Sequence, residues 1–272
     1  MKKLLALVLA GAMMLSMAAC GQKSGEEFVV GFDATFPPYG YLDEATNEYV
    51  GFDLDLAAEV CKRNGWELVK KPIDWDSKNG ELDSGAIDCI WNGFTINGRE
   101  DQYTWSEPYV DNSQVFVVAA DSGIKTFDDL KGKVVLVQAD SSALHALTPE
   151  IAADASAEDK AAAEKMLALT ASFKDLQQVP EYNTAFMSLE AGAADAVAMD
   201  IGVAEYQIES RGDKFVILEQ VISSEQYGVG FKLGNEELRD KVQATINEMV
   251  KDGTFTKIAE QWGLTDSVCL GK

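Results

Sequence analysis

The chain has 272 residues, 47% of them hydrophobic and 9% aromatic, ample for a sizeable core in one large or two medium domains. Lys+Arg 23 against Asp+Glu 45 leaves a formal net charge of -22, which argues against nucleic acid as a partner because phosphate binding requires a basic face. Acidity otherwise says only that the chain is soluble and self-repelling.

Lys2 and Lys3 precede an apolar run over residues 4–15, and small residues lead to Met17-Ala18-Ala19-Cys20. A basic flank, a short apolar core and a small-residue cleavage site mark an export signal, and the run falls short of the ~20 residues that span a bilayer. With cysteine at the cleavage point, the segment resembles the bacterial lipoprotein signal. That resemblance implies removal of residues 1–19, acylation of Cys20, and a polar tether over residues 20–27 at the extracytoplasmic face of the cell membrane. Stable anchoring requires more than one acyl chain. Plain secretion, with Cys20 removed or free, is the rival reading. Cys61, Cys89 and Cys269 remain, without a C-x-x-C and with His145 the only histidine, so no metal site is expected. Cys89 lies in an apolar run and reads as a small core residue. Pairing of Cys61 with Cys269 stays open.

Residues 28–32 read as a first strand, opening onto Asp33-Ala34-Thr35-Phe36-Pro37-Pro38-Tyr39. Two prolines forbid helix there, so Asp33 and Phe36 sit on a loop at a strand's carboxyl end, where ligands bind in open α/β sheets. Phe52, Leu56, Val60 and Cys61 follow helical spacing, and Asn64-Gly65 ends that helix. A strand over 67–72, Trp75 on a loop, a short helix over 77–82 and a strand through Cys89 follow. Strand, helix, strand, helix, strand is the pattern of a parallel sheet.

The stretch 88–109, DCIWNGFTINGREDQYTWSEPY, runs from an apolar strand into a turn carrying Gly93, Thr95 and Arg99. Such a loop presents backbone N–H groups, a hydroxyl and a guanidinium together, which suits a small carboxylate. An Arg on an ordinary surface turn is the bland alternative.

Residues 114–120 form an apolar strand, Thr126 caps a helical turn over 127–130, and 134–138 is a strand followed by Ala139-Asp140-Ser141-Ser142 and a helix from Ala143. Backbone N–H groups at that helix start can hold an anion. Ser141, Ser142 and His145 together suggest a nucleophile, but no acid orients the histidine in sequence and a catalytic triad is not expected. Residues 149–171, rich in Ala, Glu and Lys, read as one or two helices. A strand over 172–179, a helix over 183–191 closed by Gly192, and a strand over 195–199 ending at Asp200 come next. Asp200 has two readings, holder of an ammonium group or N-cap of the helix from Ile201. Strands at 215–218 and 227–231, a helix over 235–251 with Leu238, Val242, Ile246 and Met249 on one face, and a short helix ending near Trp262 complete the chain.

DATFPPYGY, GFDLDLAAEV, LDSGAIDCIWNGFTINGRE and WSEPY, in that order, are similar to the polar amino-acid family of bacterial solute-binding proteins that serve ABC importers. DDLKGKVVLVQADSS, SLEAGAADAVAMD and EQYGVGFKLGNEELRDKVQATINEMVKDGTFTKIAEQWG continue the resemblance over nearly everything after the signal. It implies an α/β, two-lobed type II periplasmic-binding-protein fold, each lobe a mostly parallel sheet flanked by helices, joined by two hinge strands. The first lobe would comprise 28–115 and 223–272, the second 116–222. The chain departs from the family in the long connection over 149–171 and in a Thr95-to-Arg99 spacing one residue shorter than usual.

The resemblance also implies roles. Arg99, Thr95 and Gly93 would bind an α-carboxylate, with the Ser142 N–H completing it from the second lobe, and Asp200 would take the α-ammonium. Asp33, Phe36, Trp75, Asn92 and Gln138 would choose the side chain, with arginine or lysine first, glutamine next, and cystine after them. Asp33 could complement a cation or accept from an amide. Partners would be a membrane permease with its ATPase, reached by a monomer, with no cofactor. An enzyme on the same scaffold, acting on cyclic prephenate-type acids, is the competing reading, and would need an acid or base in the cleft in place of an amino-acid clamp. A sensor would need a following membrane span or signalling domain.

Overall fold

Phe28, Val30 and Phe32 alternate inward along β1 (Glu27–Phe32), the first strand of a computed structural model that describes residues 25–212 and 214–271. The strand starts at Glu27, so the polar stretch expected as a tether over 20–27 contributes its last residue to the sheet. The export signal and Cys20 lie outside the described residues. β1 pairs in parallel with β5 (Glu67–Pro72) and β6 (Cys89–Thr95), and α1 (Phe52–Asn64) packs on that face with Phe52, Leu56 and Val60 buried. Trp75 sits in a 3-10 turn (Trp75–Ser77) that leads into α2 (Lys78–Asp83).

The loop expected between β1 and α1 is instead a small antiparallel sheet of β2 (Thr35–Phe36), β3 (Gly40–Asp43) and β4 (Glu48–Val50). Strands of two to four residues, interrupted by Pro37-Pro38, leave too short a pattern to read in sequence. β7 (Tyr103–Trp105) went unread for the same reason.

β8 (Val110–Ala119) leads to the second half. There β9 (Val134–Gln138), β10 (Asp175–Val179) and β11 (Ala196–Asp200) form a parallel trio. α3 (Ser142–Leu147), α4 (Ala157–Ser172), α5 (Tyr182–Glu190) and α6 (Ile201–Arg211) connect them. The chain returns along β12 (Phe215–Lys232) and closes with α7 (Glu236–Lys251) and α8 (Thr254–Gln261). The strand order is β10-β9-β11-β8-β12-β6-β1-β5, with β7 on β12. β8 and β12 run antiparallel to each other and to their outer neighbours, so two parallel trios are joined by two central strands.

β12 is one strand of 18 residues, where the sequence suggested two short ones. Its middle, Glu219 to Gln226, is polar and hides the strand. β8 pairs with it from Phe215 to Tyr227, with bulges near Val221, and supplies the backbone partners that side-chain pattern does not announce. Within the stretch 149–171 the helix begins only after Ser156, whose Oγ accepts from Asp159 N–H at 3.0 Å, and α4 buries no side chain completely. Cys61 is a buried free thiol, so the pairing with Cys269 is not made, and burial pushes that thiol up to about 12.

Candidate functional site

The carboxyl ends of β6, β9 and β11 and the loops after β1 and β5 meet at one seam between the halves. They enclose a small cavity lined by Phe36, Trp75, Asn92, Gly93, Thr95, Gln138, Ser141, Ser142 and Asp200. Most of the expected ligand residues, drawn from positions 36 to 200, thus line one space. Arg99 and Asp33 do not line it but bind residues that do. Arg99, buried in the turn after β6, donates from Nη1 to Ser142 Oγ at 2.9 Å and to the Thr95 carbonyl at 3.3 Å. Asp33 Oδ2 accepts from Gln138 Nε2 at 2.6 Å and Oδ1 from Thr35 N–H at 2.8 Å, so this carboxylate accepts from an amide across the seam. Burial raises the Asp33 carboxyl above its ordinary value despite those bonds.

The seam is shut. The cavity leaves about 10 Å³ for a water centre to move in, roughly the room of one water molecule. Anything larger can therefore enter only when the halves part. What holds them together includes Lys78, which is 1% exposed and pairs with Asp140 Oδ2 on the loop after β9, its ammonium 4.8 Å from the Trp75 ring centre. Burial works to raise the Asp140 carboxyl. The His145 and Lys78 hydrogen bonds and the charges of Lys78 and Arg99 outweigh it and hold the group well below the usual carboxylate range.

Asp140 also changes the reading of His145. An acid does lie beside the ring, with Oδ1 3.4 Å from Nε2, but Nδ1 faces Arg99 Nη2 at 3.3 Å rather than a serine. Ser141 Oγ is occupied as the cap of α3, accepting from Leu144 N–H at 3.2 Å. A nucleophile, base and acid are not strung together here.

Two further expectations change. The Gly93 N–H donates to Asp53 Oδ2 at 2.6 Å, so it is not presented to a ligand carboxylate. Gly93 has φ +55, and a Cβ there would come 2.8 Å from Phe36 Cε1 and 3.0 Å from Tyr227 Cε2, so the residue serves close approach. Asp53, wholly buried at the start of α1, is pushed up by burial to about 7. Thr95 Oγ1 likewise donates to Glu225 Oε1 at 2.8 Å.

Asp200 precedes α6 in the N-cap position but makes no side-chain capping bond. Its Oδ1 accepts from Tyr227 OH at 2.6 Å, Gln114 Nε2 at 2.7 Å and Asn112 Nδ2 at 2.9 Å. Among the described residues no Lys or Arg pairs with it. Glu225 on β12 accepts from the same two amides at 2.7 Å each. Burial and the charge of Asp200 hold the Glu225 carboxyl up at about 7, and burial raises Asp200 as well. Glu225, Lys78, Asp140 and Asp53 escaped sequence reading because a charged residue in a polar stretch ordinarily belongs to the surface.

The family model for bacterial extracellular solute-binding proteins, family 3, matches residues 28–265. The chain belongs to this family. Among relatives of this solute-binding protein, the L-cystine-binding protein TcyJ of Escherichia coli is 30% identical over 237 residues, covering 86% of the chain and 81% of the relative. The ABC transporter arginine-binding protein 1 of Escherichia coli is 29% identical, over 92% and 96% of the two chains. A crystal structure of an ABC uptake transporter substrate-binding protein from Streptococcus pneumoniae with bound histidine matches with TM-score 0.76 and 31% identity, over 87% and 92%. The fold is the type II periplasmic-binding-protein fold, with its parallel trios and two linking strands.

Proposed function

We propose that this solute-binding protein captures an L-amino acid between lobes formed by 28–115 with 223–272 and by 116–222, and delivers it to a membrane permease and its ATPase. The observation that carries this reading is Asp200. A carboxylate 4% exposed, lining a cavity with no paired cation among the described residues, lacks the counter-charge that a buried ion requires. An α-ammonium supplies it. The α-carboxylate goes to Arg99, which already crosses the seam to Ser142. Ligand held from both halves favours the shut arrangement, which is how hinge closure shifts a population.

Asp33, Phe36, Trp75, Asn92 and Gln138 face the side chain. Trp75 also lines a second, separate cavity of about 460 Å³, with Asp33, Asp74, Glu81 and Glu181. Asp33, Asp74 and Glu181 beside the site favour a basic side chain, Glu81 being paired with Lys71, so arginine and lysine lead, with glutamine and then cystine behind. The names of the relatives, arginine-binding and cystine-binding, agree with this range. They are binding proteins, which supports capture over an enzyme on the same scaffold. The lipoprotein reading completes the picture, with Cys20 acylated and the protein a monomer held at the outer face of the membrane.

Calorimetry with L-arginine, L-lysine, L-glutamine and L-cystine, followed by recovery of the ligand, tests the proposal. Tight binding of at least one, recovered unchanged, is expected. Absence of heat from all of them, or conversion of the ligand, would overturn it.

A further inference from the structure

Glu225 stands beside Asp200 where a binding site for one ammonium group needs only one carboxylate. Its Oε1 and Asp200 Oδ1 draw on the same two NH2 groups, Asn112 Nδ2 and Gln114 Nε2, at 2.7 to 2.9 Å. Each NH2 has two hydrogens and divides them between the carboxylates. Two acceptors that share both donors at such distances are themselves only about 3 to 5 Å apart. Carboxylates that close, both more than nine-tenths buried, do not readily ionise together.

Each carboxylate accepts three hydrogen bonds of 2.6 to 2.9 Å, the third on Glu225 coming from Thr95 Oγ1 at 2.8 Å, but every donor is neutral. Tyr227 OH donates to Asp200 Oδ1 at 2.6 Å, Tyr182 OH lies 3.4 Å from Oδ2, and Tyr39 packs edge-on against Tyr227. Arg99 acts on both carboxylates only through its charge, its guanidinium being bonded to Ser142 and the Thr95 carbonyl. Glu225 has a second outlook. It also lines an open cavity of about 420 Å³ beside the paired linking strands, with Asn97, Asp111, Asn112, Ser224 and Gln226, none of which lines the ligand cavity. Asp111 is the other carboxylate of that cavity, and it accepts from Gln226 Nε2 at 2.8 Å.

We propose that Glu225 is the second carboxylate of the ammonium site, that it shares one proton with Asp200 when the site is empty, and that this proton leaves through the open cavity beside the linking strands as the ligand ammonium arrives. The inference rests on the reading that Asp200 holds the α-ammonium. On binding, the carboxyl O–H bond breaks, its electron pair stays on oxygen, and the proton passes to solvent. Two carboxylates with one proton carry one net negative charge, and two ionised carboxylates with one ammonium carry the same. The buried site is thus equally charged empty and full, which avoids a large Coulombic penalty in either state. The ordinary expectation for Glu225, about 4.5, would leave the pair doubly charged at neutral pH, whereas burial and Asp200 hold it near 7.

Calorimetry of L-arginine binding at about pH 6, in buffers of different ionisation enthalpy, reads the proton directly. Release of about one proton per ligand is expected, vanishing near pH 8, with affinity falling about tenfold for each pH unit below 7. E225Q should release none and bind with a flat pH profile. Heat independent of buffer at pH 6, with binding intact, would overturn the shared proton and leave amino-acid capture standing, whereas failure of every amino acid to bind would overturn both. Carboxyl-carbon NMR of the ligand-free wild type checks the same point without ligand or substitution. One carboxyl of the pair should remain protonated at about pH 6, and full ionisation of both at about pH 5 would refute it.

Discussion

Replacing Gly93 by alanine tests the packing at the centre of the site. At φ +55 a side chain pays about 1 to 2 kcal/mol of backbone strain. The new Cβ would also sit 2.8 Å from Phe36 Cε1 and 3.0 Å from Tyr227 Cε2, contacts that force rings to move and cost a further about 1 to 3 kcal/mol. A loss of about 2 to 4 kcal/mol is expected, after the smaller conformational entropy of the unfolded alanine chain offsets part of it. Gly65 provides the control. It has φ +71 at the end of α1, with nothing within 4 Å of its Cβ position, so G65A carries the strain alone, about 1 kcal/mol. Urea unfolding of both variants, read at constant slope, separates the two contributions. Displacement of Phe36 into so small a cavity should abolish amino-acid binding in G93A and leave it intact in G65A. Equal losses of stability in the two variants would refute the reasoning.

Glu225 has a folded-state pKa above its unfolded one, so the folded protein favours the protonated form and loses stability as pH rises from 4.5 to about 7. At about 1.4 kcal/mol per pH unit the loss is about 3 kcal/mol, so ligand-free E225Q should exceed the wild type by that order at pH 8 and match it at pH 4 in thermal or urea unfolding. Equal pH profiles would contradict this. K78M removes the cation that Asp140 meets across the seam, and amino-acid release measured by stopped flow should quicken about tenfold. An unchanged release rate would show that the pair does not hold the site shut. D200N should weaken amino-acid binding by about 30-fold or more, the effect of removing one partner of a buried charge pair. Binding within threefold of the wild type would exclude Asp200 as the ammonium holder.

What the sequence discloses depends on whether a residue's chemistry agrees with its surroundings. Phe36, Thr95, Ser142 and Asp200 lie at or just after strands whose apolar runs are plain, Trp75 follows the mixed strand ELVKKP, and the structure gathers all of them on one cavity. β12 reads as two pieces in sequence because its polar centre lies in the linking region, where β8 rather than a core determines the pairing. Lys78 and Glu225 carry no sequence signal, because the partners that bury them lie 62 and 111 or more positions away, which no local pattern reports. Gly93 and Thr95 read as ligand residues and both line the cavity, but nothing local shows that the Gly93 N–H and the Thr95 hydroxyl have Asp53 and Glu225 as partners. Residues 149–156 read as helix on composition and lie outside one, since the helix waits for the Ser156 cap.

The central claim is that one zwitterion bridges Arg99 and Asp200, and the ligand itself offers the most direct test. Calorimetry of whichever of L-arginine, L-lysine, L-glutamine and L-cystine binds tightest should be repeated with its Nα-acetyl derivative, which lacks the ammonium, and its methyl ester, which lacks the carboxylate. Each derivative should bind at least about 30-fold more weakly than the free amino acid, as expected when one buried charge loses its partner. Binding of either derivative as tightly as the free amino acid would contradict the account.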